Sequence, residues 1–499
     1  MQDNTRGEIA KGAAWMVLFR LFDRSIGLIS TAVLARLLLP NDFGLVAMAM
    51  SIIVFIELAT AFGFEIALIQ MQAPQREHFD TAWSLNLLLA CGGALVTALV
   101  ATPAAAFYGD PRLVSVMLTI AAAWLLGGFE NIGVVSFRRE LNFSAEFRFM
   151  ATKRVISFVV TMACAFSFRS YWALVVGMAA GRVIGVVLSY WVHPFRPRFT
   201  LTHAKQLFSF SGWVLLNSSL TVAFSRVPHL FVGRTLGAQS LGAYTVASEI
   251  ALLAQTELIA PINRAMFPGY ARLVSDPPLF RKTCVDATAA IMLIALPVSV
   301  GIAVLAAPFV RLLLGAQWGE AVPLIQVLSV SATVSALTSN NISIYLAMGR
   351  PHLASATFAS RLVVTAIGLA LLNQTSGAIG VAYAELAAAL AAMIVSLPTL
   401  FTSIHIRPRQ YLGALWRPLL ASGLMGWVIS AWVQPGFNAD RAGSAVVELL
   451  AGTLIGLVMY PLAIALLWRI GGAQDAVEAQ VLRRLLAEFQ ARRAARLVS

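Results

Sequence analysis

Three charged residues, Arg20, Asp23 and Arg24, lie inside an apolar run from Ala13 to Leu38. A charge at the centre of a bilayer costs roughly 2.5–3.5 kcal/mol on insertion scales, so these side chains need water or partners. At 3.6 residues per turn, Arg20, Asp23, Arg24, Gly27 and Thr31 share one stripe bordered by Ser30, while Leu18, Leu21, Phe22, Ile26, Ile29 and Val33 cover the other side. The planar fork of arginine pairs bidentately with phosphate oxygens. Asp23 can neutralise only one arginine, which leaves a net positive stripe suited to one wall of an anion-binding cavity. Two other readings use the same residues. Asp23 could pair with Arg20 or Arg24 to lock helices together, and Arg20 could snorkel to the membrane surface.

The theme recurs further along the chain. At an offset of 198 residues, "ARLLLPNDFGLVAMAMSI" (35–52) faces "GRTLGAQSLGAYTVASEI" (233–250), aligning Arg36 with Arg234, Gly44 with Gly242 and Ala49 with Ala247. The same offset sends Trp15 to Trp213, and Asp23, Gly27 and Thr31 to Thr221, Ser225 and His229; Asn217 extends that polar stripe and Arg226 flanks it. A six-helix repeat preserves topology, and parallel repeats place a substrate site between the halves of a transporter. Glu57 and Glu65 stand eight apart on one predicted helix face; their counterparts are Gln255 and Asn263, with Glu249 and Glu257 nearby. Arg20, Asp23, Arg24, Arg182, Asn217, Thr221 and Arg226 are therefore the candidate binding residues. Glu57, Glu65, Glu249 and Glu257 are the candidates for a coupling proton or sodium ion. Glu130, Asn131, Asn340, Asn341 and Glu385 complete the intramembrane polar set. The chain carries no G-x-x-x-x-G-K-[ST] loop, its six histidines are scattered, and Cys91, Cys164 and Cys284 have no metal or disulfide spacing. No catalytic residue, metal or cofactor is expected beyond a coupling ion.

The elements that must position these residues are transmembrane helices. The 499 residues are 59% hydrophobic and only 12% charged, about half the charged share of a soluble domain. Fourteen apolar stretches are long enough to span, among them 14–38, 43–69, 112–136, 150–168, 171–192, 208–233, 240–267, 284–313 and 444–468. With the N-terminus inside, 26 Lys and Arg fall in inside segments and 6 in outside segments, which puts both termini in the cytoplasm by the positive-inside bias. The same bias accounts for the net charge of +13 without nucleic acid. The expected organisation is an N-terminal lobe at 1–205, a C-terminal lobe at 206–405, two further helices at 406–470 and a basic amphipathic helix at 471–499.

The segment "ARLLLPNDFGLVAMA", within 33–70, resembles bacterial polysaccharide-repeat-unit flippases of the multidrug/oligosaccharidyl-lipid/polysaccharide exporter superfamily, closest to the colanic-acid and exopolysaccharide type. "GRTLGAQSLGAYTVA" (233–247) and "FVRLLLGAQWGEAVPLIQVLSV" (309–330) are similar to the same family, over about residues 10–410. The resemblance implies alternating access between two six-helix lobes in the inner membrane. It also implies transfer of an undecaprenyl-diphosphate-linked oligosaccharide to the periplasmic leaflet, a cationic cavity to which Arg20, Arg24 and Asp23 would belong, and cooperation with polymerase and chain-length machinery. The alternatives are a multidrug cation antiporter or lipid II flippase of the same superfamily and, less in keeping with the short outside loops, a membrane polysaccharide polymerase or ligase.

Overall fold

The computed structural model describes residues 2–60, 62–71, 74–432 and 442–471, with side chains left out at 2–14, 17, 59, 70, 208–225, 372–376, 442–444 and 471. The described residues form helices and connecting turns with no strand, and the chain divides into two compact units, Met1–Thr245 and Val246–Ser499.

In the first unit α1 spans Gln2–Leu37, α2 Pro40–Thr60, α3 Phe64–Gln70, α4 Arg76–Tyr108, α5 Arg112–Gly127, α6 Val135–Arg139, α7 Phe143–Phe168 and α8 Trp172–Val192; α9, Ala204–Ala251, carries the chain to the division. Beyond it come α10 (Ala260–Leu273), α11 (Pro277–Val304), α12 (Ala306–Phe309), α13 (Ala321–Ala347), α14 (Pro351–Ile404), α15 (Pro408–Trp432) and α16 (Ala442–Gly471). Among the described residues ten helices are long and apolar enough to cross a membrane, or twelve if two bent pairs each count as one span. The chain is a multi-pass membrane protein. The expectation of fourteen differs for identifiable reasons. Helix α1 has the length, but Arg20, Asp23, Arg24 and Arg36 crowd its second half, and the expected span at 208–233 lies largely outside the described side chains. The stretch at 112–136 is a pair bent by 67° between Arg112–Gly127 and Ile132–Arg139.

Two other stretches end earlier than their apolarity suggests. Gly63 takes a left-handed φ of +67°, and α3 begins afresh after it, because only glycine adopts that conformation freely. Glu57 and Glu65 therefore sit on different helices and do not share one helix face. The stretch at 284–313 stops at Val304, and a π turn at Val310–Leu314 follows.

Within the first unit the connections gather at two ends. At one, the Tyr171 amide donates to Asp42 Oδ1 at 3.1 Å, Arg112 covers the Tyr171 ring at 5.9 Å and Arg112 pairs with Asp110 at 2.7 Å. At the other, Arg76 donates to the Arg196 carbonyl at 3.1 Å, Asp80 accepts from the Arg198 amide at 2.8 Å and Glu77 meets His203 at 3.4 Å. The start of α2 also packs on the end of α9 through two glycines. A Cβ on Gly44 would stand 1.6 Å from the Ala238 carbonyl oxygen, and one on Gly242 would stand 1.9 Å from that of Pro40. Pro40 and Ala238, like Gly44 and Gly242, are 198 residues apart, so the contact is reciprocal about the offset found in sequence.

In the second unit α13 is central. Asn340 accepts from the Tyr270 hydroxyl at 3.0 Å and donates to Thr288 at 2.7 Å, Asn341 donates to Ser396 at 3.2 Å, and Tyr345 donates to the Ser396 carbonyl at 2.6 Å. Asn340 and Asn341 are fully buried, and these bonds supply what hydrocarbon cannot.

Candidate functional site

The charges that matter most converge in the first unit. A cavity of about 560 Å³ is lined by Asp23 of α1, Glu65 of α3, Glu130 after α5, Arg138 of α6, Glu146, Lys153 and Arg154 of α7 and Arg182 of α8. A second cavity of about 370 Å³ adjoins it and shares Glu65, Glu130, Lys153 and Arg182. Four carboxylates thus face four cations across five helices and the turn after α5.

Glycines let the pairs form. Arg154 Nε stands 2.9 Å from Asp23 Oδ1; its guanidinium passes 3.4 Å from where a Gly27 Cβ would be, one turn along α1. Lys153 Nζ lies 3.0 Å from Glu130 Oε2, and a Cβ on Gly185 of α8 would meet that ammonium at 2.4 Å. Arg182 donates to Glu57 Oε1 at 2.9 Å. Arg138 donates from Nε to Glu146 Oε1 at 2.8 Å and also through NH2. In the first three pairs both side chains are substantially exposed, whereas the Glu146 side chain is only 8% exposed beside an Arg138 that is 42% exposed. The second carboxylate oxygen of Glu146 is buried with no hydrogen-bond partner.

The bend between α5 and α6 holds one wall in place. Asn131 is fully buried; its amide donates to the carbonyl of Phe195 at 2.7 Å and of His193 at 3.3 Å, and its Oδ1 accepts from the Gly133 amide. His193 Nδ1 accepts from the Phe195 amide at 3.2 Å, leaving Nε2 to donate to Ser136 at 3.0 Å. Burial holds the His193 ring below the usual imidazole range, with Glu140 opposing and Arg196 adding to that effect. Asn131 therefore positions the wall that carries Glu130 and Arg138.

Of the residues singled out in sequence, Asp23, Glu65 and Arg182 line this cavity and Glu57 holds Arg182. Arg20 and Arg24 are not among the lining residues; Asp23 pairs across to α7 rather than with either of them. Arg226 is half-buried on α9, and the side chains of Asn217 and Thr221 lie outside the described residues. Glu249, on α9, and Glu257, in a π turn at Gln255–Ile259, belong to the second unit. The main cavity of that unit, about 410 Å³, is lined almost wholly by apolar side chains of α11, α15 and α16.

Arg138, Lys153 and Arg154 are among the 26 inside charges counted in sequence; the structure puts Arg138 on α6 and, because α7 begins at Phe143 and not at 150, places Lys153 and Arg154 well inside a helix. A signal was there: Glu146, Lys153, Ser157 and Thr161 recur at helical spacing along one face of α7.

Residues 33–323 match the family model described as "Polysaccharide biosynthesis protein". The chain belongs to this family. It is 24% identical over 496 residues to the succinoglycan biosynthesis transport protein ExoT of Rhizobium meliloti (strain 1021), covering 97% of this chain and 96% of that one. It is 23% identical to the lipopolysaccharide biosynthesis protein WzxC of Escherichia coli (strain K12), covering 84% and 86%. Its fold is similar to that of the lipid II flippase MurJ in an inward closed conformation, with a TM-score of 0.71, 14% identity and coverage of 92% of this chain and 100% of the other. An inward-facing multidrug resistance MATE family transporter follows with a TM-score of 0.60, 16% identity and coverage of 77% and 94%.

Proposed function

We propose that this protein is a transporter rather than an enzyme. It moves an undecaprenyl-diphosphate-linked oligosaccharide from the cytoplasmic to the periplasmic leaflet of a bacterial inner membrane. The observation that carries this reading is the cavity where Arg138, Lys153, Arg154 and Arg182 converge. Guanidinium and ammonium groups recognise diphosphate oxygens. Its volume, about 560 Å³, falls in the range of ligand sites, with room for a diphosphate and part of the attached sugar. The names of the relatives, transport and biosynthesis of surface polysaccharides, support the substrate class. On this reading the chain has fourteen spans with both termini cytoplasmic, and its two six-helix lobes (1–205 and 206–405) alternate access. Transport is coupled to H⁺ or Na⁺, and the product is handed to polymerase and chain-length machinery.

The test is export of surface polysaccharide in a flippase-deletion strain complemented with Arg154→Ala, Arg182→Ala, Arg20→Ala or Arg24→Ala, alongside membrane abundance. The expected result for Arg154→Ala and Arg182→Ala is lost export at normal abundance, with lipid-linked repeat units accumulating inside. Normal export from both variants removes the cavity from the mechanism. The four carboxylates on the same walls favour one second reading, export of organic cations; it predicts that cells expressing the protein resist cationic dyes while the arginine variants still export polysaccharide.

A further inference from the structure

This cavity holds no surplus of positive charge: Asp23, Glu65, Glu130 and Glu146 face Arg138, Lys153, Arg154 and Arg182, and Arg182 is also held by Glu57. A dianionic diphosphate entering a balanced, low-dielectric cavity leaves uncompensated negative charge unless a cation enters with it. The four ion pairs are not equally able to tolerate that. Asp23, Glu57 and Glu130 are a third or so exposed, so water can solvate them when their partners turn to phosphate. Glu146 cannot be solvated in that way. Its side chain is 8% exposed, one oxygen already lacks a partner, and the other depends on Arg138.

Resting on the reading of this cavity as the diphosphate site, we infer that Glu146 is where a proton is taken up when Arg138 transfers from Glu146 to the substrate diphosphate. The exchange balances. Arg138 keeps its charge and moves its hydrogen bonds from Glu146 Oε1 to a phosphate oxygen; the Glu146 carboxylate takes one proton from water and becomes a neutral acid. Arg138 is 42% exposed on its side of the pair and is free to turn. A buried carboxylate deprived of its guanidinium is among the costliest groups to leave charged.

The surrounding charges do not remove this demand. Asp23 of α1, with Arg20 and Arg24 on that helix, faces α7; Glu65 comes from α3, Glu130 from the end of α5, Lys153 and Arg154 from farther along α7, and Arg182 from α8. Arg139, Glu140 and Arg148 lie beside the pair along the chain. The three cavity cations other than Arg138 already hold Glu130, Asp23 and Glu57. When the diphosphate draws on them as well, the local field at Glu146 becomes more negative, which further favours the proton.

The experiment uses purified full-length protein and UDP-glucose, a soluble diphosphate diester whose phosphates do not titrate near neutral pH. Binding is followed by calorimetry in buffers of different ionisation enthalpy at about pH 6 and about pH 8. The expected result is net proton uptake approaching one per ligand and an affinity that tightens on acidification, by at most about tenfold per pH unit for a single linked proton. Glu146→Gln is expected to bind without uptake and without pH dependence. If that variant does not accumulate, Arg138→Ala serves, since it removes the guanidinium whose transfer the exchange requires; it is expected to bind more weakly and without linked proton uptake. Wild-type binding without proton uptake overturns the inference but leaves the diphosphate site standing. Uptake that persists in Glu146→Gln moves the proton to another carboxylate and overturns the assignment. No binding, or binding unaffected by Arg154→Ala, removes the diphosphate reading and this inference with it.

Discussion

At the scale of single residues, the bend that carries Glu130 and Arg138 depends on one uncharged histidine. His193 lies just past α8, with Nδ1 accepting from a backbone amide and Nε2 donating to Ser136. Gly133 leaves the room for it: a Cβ there would stand 2.3 Å from Nδ1. Burial keeps the folded-state ring below its ordinary value, whereas the unfolded chain titrates near 6.5. Above that pH neither state binds the proton. As the pH falls through it, the unfolded state takes up a proton that the folded state refuses, so stability drops with acid, by at most about 1.4 kcal/mol per pH unit. Thermal unfolding in detergent at about pH 7.5 and pH 5.5 should show this loss in the wild type, and a smaller one in His193→Gln. An equal loss in both would mean that His193 does not set it. Asn131 stands out in the sequence as a polar residue among apolar ones, and His193 only as one of six scattered histidines. That they bind backbone carbonyls and a hydroxyl rather than substrate was not visible, because their partners lie about 60 residues away in the chain. The same limit hid the partner of Asp23. Helical spacing puts it on one stripe with Arg20 and Arg24, but its counter-ion is Arg154 of α7, and no local pattern links the two.

Elements bring these residues together, and the glycines decide how closely. The reciprocal contact between the start of α2 and residues 238–242 of α9 has backbone on both sides, so nothing flexible can yield to a methyl group. Gly44→Ala and Gly242→Ala should each disfavour it by about 3 kcal/mol, the upper end for overpacking and over a hundredfold in the contact equilibrium. The expected outcome is a lowered unfolding temperature and lost polysaccharide export for both. Gly92→Ala, on α4 with nothing within 4 Å of the new Cβ, should leave both measurements unchanged. Wild-type behaviour in all three would show that the close approach is dispensable. The 198-residue offset had already paired Gly44 with Gly242 from sequence alone. Composition and periodicity likewise revealed helices in a membrane, since apolar runs of spanning length admit little else. What they missed were the breaks: Gly63, which separates Glu57 from Glu65, and the 67° bend after α5. A break inside an apolar stretch leaves hydropathy untouched and shows itself only in backbone angles.

The whole chain is organised by where its charges can reside. Twelve spans, counting the two bent pairs, are apolar enough to cross on composition. The fourteen spans proposed above add α1, whose charged face has Asp23 on a cavity wall and Arg154 as partner, and the apolar stretch at 208–233. An even number returns the chain to the side from which it started. The first unit supports the alternation this requires. The loop residues Asp42, Asp110, Arg112 and Tyr171 cluster at one end, while Arg76, Asp80, Arg196, Arg198 and His203 cluster at the other. The second of these ends is the richer in arginine, as an inside face should be. A green fluorescent protein fused after Ser499 should therefore fluoresce, and alkaline phosphatase fused there or after His203 should be inactive. Phosphatase fused after Asp110, or within "QPGFNADRAG" (434–443), should be active. Phosphatase activity at Ser499 together with an inactive fusion after Asp110 would invert the orientation. Activity at both Ser499 and Asp110 would instead make the number of crossings between them even, leaving the 208–233 stretch outside the set of crossings. Inversion would turn the Arg138–Glu146 end of the cavity toward the wrong compartment for loading a cytoplasmic substrate, whereas activity at both sites would leave that end cytoplasmic. The side on which Asp110 lies must therefore hold before any proton linked to Glu146 can be assigned a direction across the membrane.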